Sequence, residues 1–198
     1  MPLLRPSLLA FLALGACATA PPRRAGAPWS APALELCGGV TVSNAPAADS
    51  FRRILAYSPF ANVRGVALAR APVAGCVSSS FGPRSGGAGA FHEGLDLFTG
   101  APRVIVAGGD GRIAFTGQRR GYGLTVEITH GNGVATLYAH LSDLAPGIRA
   151  GAPISAGSAI GRSGRSGNAS AVHLHYEILI EGRPVDPLKA GDPLNATG

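Results

Sequence analysis

Charge and aromatic surface are both scarce in this chain. Only 14% of its 198 residues are Asp, Glu, Lys or Arg, and only 6% are aromatic. With 46% apolar residues, the chain is no solvated disordered polyelectrolyte and has the material for a buried core. The net charge of +6 comes from scattered basic residues, with no long run and no interleaved aromatics. That distribution argues against a nucleic-acid partner and stays compatible with an anionic polymer such as a cell wall. The apolar run Leu8–Leu14 is too short to span a bilayer. What is abundant is punctuation: 29 glycines and 16 prolines predict many tight turns and short strands rather than a helical bundle.

The N-terminus carries the compartment information. Arg5 followed by Leu8–Leu14 has the make-up of an export signal over residues 1–16, and Leu14-Gly-Ala-Cys17 resembles the bacterial lipobox. A lipid on Cys17 is therefore expected, placing the protein in the periplasm of a bacterial envelope, anchored at the outer membrane because no aspartate follows the cysteine. If Cys17 is lipidated, Cys37 and Cys76 are left as an even pair in an oxidising compartment, and a disulfide between them is expected. Residues 17–33, rich in Ala, Pro and Arg, read as a flexible tether.

Residues 34–76 form a short prelude. Within it Phe51, Ile54 and Leu55 fall at helical spacing after Asp49, a residue suited to capping, which predicts one short helix. From residue 77 to 188 the texture is all-β. Val104–Ala107, Gly111–Phe115 and Leu124–Thr129 are strand-like, and the Asn132-Gly133 pair predicts a hairpin turn into Val134–Leu141. Ile148, Ile154 and Ile160, spaced among glycines, suit very short strands around a small core. Residues 189–198 are a tail.

Five residues stand out chemically. In Ala171–Ile180 the alternation predicts a strand on which His173 and His175 share one face, while Leu174 and Tyr176 share the other. Two imidazoles side by side can bind one metal, or one can bind it while the other moves protons. In Phe91–Phe98, extended backbone puts His92, Gly94 and Asp96 on one face and directs Phe91, Leu95 and Leu97 at the core. Gly94 leaves room for an ion or substrate. The helical zinc motif H-E-x-x-H does not apply, because its fifth position is Asp96 and Gly94 weakens a helix. Alternation in Thr136–His140 groups Thr136, Tyr138 and His140, whereas His130, beside the Asn-Gly turn, reads as a solvated turn residue. A catalytic metal wants three protein ligands and an open position, together with groups that move protons. Five candidates (His92, Asp96, His140, His173, His175) exceed three by two, which points to a catalytic rather than a structural site.

The ordered set Phe81-Gly-Pro-Arg84, His92-x-x-x-Asp96, Gly121-Tyr-Gly123, Tyr138-Ala-His140, Gly157-x-x-Ile-Gly161, His173-Leu-His175 and Pro184-Val-Asp-Pro187 resembles the lysostaphin/LytM-type zinc endopeptidases over roughly residues 77–187. The resemblance implies a mainly antiparallel, barrel-sandwich-like β fold. It further implies one zinc ion held by His92, Asp96 and His175, with His140 and His173 beside the open position. It implies peptidoglycan as the substrate, cut at D-Ala–meso-diaminopimelate cross-links or, in other members, at glycine bridges. Relatives that have lost zinc ligands serve instead as non-catalytic activators, and this chain has all five residues. The segment between Arg84 and His92 is short and glycine-rich and holds no tyrosine of the kind some members place near the oxyanion.

Overall fold

The computed structural model describes residues 29–84 and 91–191. The export-signal segment 1–16, Cys17, most of the tether, the glycine-rich segment 85–90 and most of the tail lie outside the described residues. In chain order the strands are β1 (Phe60–Val63), β2 (Val66–Ala69), β3 (Cys76–Ser79), β4 (Gly82–Pro83), β5 (Phe91–His92), β6 (Leu95–Phe98) and β7 (Val104–Val106). They continue as β8 (Gly111–Arg119), β9 (Gly123–Gly131), β10 (Val134–Leu144), β11 (Pro153–Ile154), β12 (Ala159–Ser163), β13 (His173–Ile180) and β14 (Arg183–Val185).

One antiparallel sheet runs in the order β11-β8-β9-β10-β13-β6-β3, with β12 pairing both β10 and β7, and β14 pairing β13. The β9–β10 hairpin turns at Asn132 and Gly133, whose φ angles of 53° and 72° are the left-handed pair such a two-residue turn demands. Strand β13 sits between β10 and β6. Its Leu174, Tyr176 and Ile178 are fully buried, together with Leu95 and Leu97 of β6 and Val126 and Ile128 of β9. Tyr138 and Tyr176 lie in the same core with ring centroids 5.3 Å apart. Their hydroxyls are satisfied: the Gly108 N–H donates to Tyr138 over 2.8 Å, and Tyr176 donates to the Ala69 carbonyl over 2.8 Å. His130 belongs to this network rather than to solvent, correcting the turn reading. Its Nδ1–H donates to the Asp110 carbonyl over 2.8 Å, its Nε2 bonds the Thr136 hydroxyl over 2.8 Å, and burial pulls its pKa down.

No helix occurs among the described residues, so the helix expected after Asp49 is corrected. Arg52 and Ala56 adopt φ of 67° and 55°, which a right-handed helix cannot contain. The Asp49 carboxylate instead accepts the N–H groups of Phe51 and Arg53, each at 2.9 Å, closing a tight turn. Ile54 then bonds back to Leu34, leaving Phe51 and Leu55 exposed.

A disulfide joins Cys37 to Cys76 across 39 residues, with Cα atoms 5.0 Å apart. In the loop-entropy picture a closure of that length stabilises by roughly 4 kcal/mol. Leu36 and Ser43 also make parallel bridges to Val77 and Ser79, so the prelude covers the free edge of β3.

Candidate metal centre

Strand register brings the site together. His175 of β13 lies opposite Asp96 of β6, and His173 lies opposite Phe98. His92 arrives from the small β4–β5 ladder, where Gly82 pairs with His92, which gives the Phe81-Gly-Pro-Arg84 motif a structural purpose. Three atoms then converge. His92 Nε2 is 3.1 Å from Asp96 Oδ1 and 3.1 Å from His175 Nδ1, which is 2.9 Å from the same carboxylate oxygen. A tetrahedral zinc with ligand bonds near 2.1 Å would set such edges at about 3.4 Å. The triangle is thus slightly tighter than a loaded site, and small rotations of the side chains suffice to fit it.

The outer atoms of the rings decide which nitrogens face inward. His92 donates Nδ1–H to the Ser80 carbonyl over 2.9 Å, leaving Nε2 for the centre. His175 is turned round: Nε2–H donates to Glu177 Oε1 over 2.9 Å, leaving Nδ1 inward. Arg84 holds the other oxygen of Asp96 at 3.2 Å, so Oδ1 faces the site. Two imidazole nitrogens and a carboxylate oxygen, each oriented by an outer partner, are a donor set suited to zinc. The site's demand for positive charge appears in its titration. Burial pulls the His175 pKa down, but hydrogen bonds to Asp96 and Glu177 outweigh it and push the value up to about 9. Burial opposes ionisation of Asp96 as well, yet the hydrogen bonds from His175 and His92 hold it well below the usual carboxylate range.

His140 and His173 stand beside the triangle with ring centroids 4.7 Å apart, and the His140 ring is 5.9 Å from that of His175. Each spends its Nδ1–H on a carbonyl, His140 on Ser166 over 2.8 Å and His173 on Ala171 over 2.9 Å. Nε2 is therefore the exchangeable nitrogen in both. Burial holds the His140 pKa down to about 4, reinforced by the neighbouring His173 and His175, so at neutral pH the ring is uncharged.

The position of His140 corrects the alternation reading. Tyr138 pairs with Tyr176 on the core side and Ala139 pairs with His175, so regular alternation would aim His140 at the core. A bulge intervenes, with His140 at φ 63° and the register against β9 shifting between Tyr138 and Leu141. The left-handed residue turns the imidazole onto the face that carries His173 and His175. Gly123 helps hold it there: a Cβ at that position would lie 2.4 Å from Ser166, the residue whose carbonyl fixes His140. Phe91 is a second correction, because it is 49% exposed, stacks edge-on against Phe81 and lines the groove rather than the core.

Sequence reasoning gave no role to Glu177, and none to Tyr122 beyond its motif. Glu177 is buried, accepts from His175, and also accepts the Tyr122 hydroxyl over 2.8 Å. A clue was present: the same two-residue alternation that groups His173 with His175 extends to Glu177. Gly94 is the tightest point of the site. A Cβ there would lie 2.5 Å from the Tyr176 carbonyl and 2.8 Å from the His175 ring. Gly94→Ala is therefore expected to displace His175 and weaken zinc affinity about 10- to 100-fold, the range seen when a ligand loses its orientation. Zinc retention against chelators of graded strength measures this, and wild-type retention would contradict it.

The whole constellation lies in a groove of about 820 Å³ whose lining also includes Val40, Ser43, Phe91, Tyr122, Asn168 and Ser170. A β-sheet groove with a His-Asp-His donor set and two flanking histidines is suited to hold a metal ion beside groups that can move protons. The chain belongs to peptidase family M23, whose model matches residues 90–187. It is 41% identical over 102 residues to the DD-carboxypeptidase/endopeptidase Mpg of Neisseria meningitidis, covering 52% of this chain and 23% of that protein. It is 33% identical over 121 residues to the murein hydrolase activator NlpD of Escherichia coli, covering 61% of this chain and 30% of that one. A zinc-containing peptidase from Vibrio cholerae superposes with a TM-score of 0.57 at 28% identity, over 68% of this chain and 40% of that structure. The chain thus spans under a third of the length of these curated relatives.

Proposed function

We propose that this protein is a zinc-dependent endopeptidase that cuts peptide cross-links of bacterial peptidoglycan, with D-Ala–meso-diaminopimelate bonds as its target. The observation that carries the reading is the convergence of His92, Asp96 and His175 within 3.1 Å beside two further histidines. Relatives named for DD-endopeptidase activity support the substrate class. Bound to that triangle, zinc would supply Lewis acidity to the scissile carbonyl and lower the pKa of the attacking water to about 7.

The chain's own residues do the rest. His140, uncharged at neutral pH, offers the Nε2 lone pair as a proton acceptor for the attacking water. His173 offers a second Nε2 beside it, and the proton taken from the water is first shared with the developing oxyanion as a hydrogen bond and then passes to the leaving amine. Glu177 and Arg84 keep the His175 ring and the Asp96 carboxylate in place throughout. The similarity to an activator, NlpD, motivates a second reading in which the fold only binds peptidoglycan and switches on another hydrolase. An activator has no need of a complete donor set with every outer atom satisfied, and this chain has one. Digestion of cross-linked muropeptide dimers by the purified protein, with products weighed by mass spectrometry, tests the proposal. Conversion of dimers to monomers at the D-Ala–meso-diaminopimelate bond supports it. Intact dimers, with stimulation of a separate hydrolase, would favour the activator.

The placement in the envelope extends to the anchor. We infer that residues 1–16 direct export, that Cys17 carries lipid and that residues 17–33 tether the peptidase region 77–188 to the outer membrane. Cys17→Ser is then expected to shift the protein from the membrane fraction to a soluble or unprocessed form. A wild-type N-terminal peptide without lipid mass would remove the anchor.

A further inference from the structure

Three of the exposed large apolar side chains, Val40, Phe91 and Phe98, share the groove that holds the metal centre. Val40 is 54% exposed and Phe98 38%. Phe98 follows Asp96 by two residues on β6, so it stands on the same face about 7 Å further along the strand. Cys76 pairs with Phe98 from β3, and the disulfide carries the surface on to Cys37. From Cys37 the chain leaves as a loop, residues 38–42, that presents Val40 to the groove.

That loop is pinned at both ends. The Cys37 N–H donates to the Val77 carbonyl over 2.9 Å, and the Ser80 N–H donates to the Ser43 carbonyl over 3.0 Å. The Arg52 guanidinium donates to the Cys37 carbonyl. Val40 is thus an exposed apolar side chain lining the groove, on a loop held by a disulfide and by hydrogen bonds at either end. The same groove is lined by the polar side chains of Tyr122, Asn168 and Ser170. A groove that offers both apolar and polar side chains suits an extended peptide, whose backbone needs hydrogen bonds and whose side chains need apolar contact.

We propose that Val40 and Phe98 form an apolar subsite for the aliphatic part of a substrate side chain one or two residues from the scissile bond. Residues 37–43 then act as a specificity wall supplied from outside the family-matched region 90–187. The proposal rests on the peptidase reading for the identity of the peptide, and continuity of this surface with the metal centre is what assigns the occupant. One apolar contact to a substrate side chain is worth about 10-fold in discrimination.

The test uses a soluble cross-linked muropeptide dimer and the variants Val40→Glu, Phe98→Ala and Val104→Glu. Val104 is 52% exposed on β7, lines a separate shallow pocket with Trp29 and Arg103, and serves as the control. Binding is measured calorimetrically with chelator present, and KM and kcat with zinc. Val40→Glu and Phe98→Ala are expected to raise Kd and KM about 10-fold with kcat within about twofold and zinc content unchanged, while Val104→Glu matches wild type. Kd within about twofold of wild type for both groove variants, an equal shift for Val104→Glu, or no binding of the dimer by wild type would overturn the subsite. Binding as expected with no cleavage by zinc-loaded wild type would instead sink the peptidase reading and leave the subsite standing.

Discussion

His175→Ala is expected to strip most of the zinc from the protein and to abolish measurable cleavage. The change removes Nδ1 from a three-atom donor set whose members lie 2.9–3.1 Å apart, leaving two protein ligands where hydrolytic zinc sites use three. It also leaves Glu177, 2% exposed, without the imidazole N–H that it accepts, so the damage reaches beyond the coordination shell. His92→Ala and Asp96→Ala are expected to behave alike, and Asp96→Ala additionally frees Arg84 from its carboxylate partner. Losing the metal forfeits several kcal/mol of transition-state stabilisation, a rate loss on the order of 10³-fold or more. Zinc per chain by mass spectrometry, measured beside the digest, checks the assignment. If His175→Ala keeps zinc near wild-type content while His173→Ala loses it, the two histidines have exchanged roles.

His173→Ala and His140→Ala have the opposite signature: zinc stays and turnover falls by on the order of 10²–10⁴. Neither ring joins the donor set whose atoms all lie within 4.8 Å of one another, although His173 Nε2 comes to 3.7 Å from Asp96 Oδ1. Both keep Nε2 free by committing Nδ1–H to a carbonyl. His140 needs one extra control because its φ of 63° costs any ordinary residue energy. His140→Asn tolerates that backbone and removes the imidazole, so it should match His140→Ala in activity while protecting the bulge. Full activity in both His140 variants would take His140 out of the chemistry.

The placement of these residues was legible in the sequence to the extent that it depends on regular strands. Alternation alone put His173 and His175 on one face, and the Asn132-Gly133 pair announced the hairpin that positions β10. Alternation failed where the backbone departs from it. Nothing local marks the left-handed bulge that turns His140 from the core side to the site side, because it depends on Tyr122 and Ser166 from other segments. The helix expected at Asp49–Leu55 failed for a related reason: an aspartate that caps a helix also closes a tight turn, and pairing with Leu34 and Glu35 decided between them. Phe91 was assigned to the core by the same alternation, but β5 is only two residues long and stops before the pattern can repeat. Glu177 was within reach, and its partner Tyr122 comes from a distant turn that no spacing reveals.

The central claim, that the His92-Asp96-His175 triangle is a hydrolytic zinc centre, is tested most directly by one digest run three ways. Muropeptide dimers are incubated with the protein as purified, after chelation, and after chelation followed by one equivalent of zinc. The expected result is cleavage, loss of cleavage, and its return, with bound zinc at about one per chain in the first and third states. Cleavage that persists in protein shown to be free of metal would contradict the account.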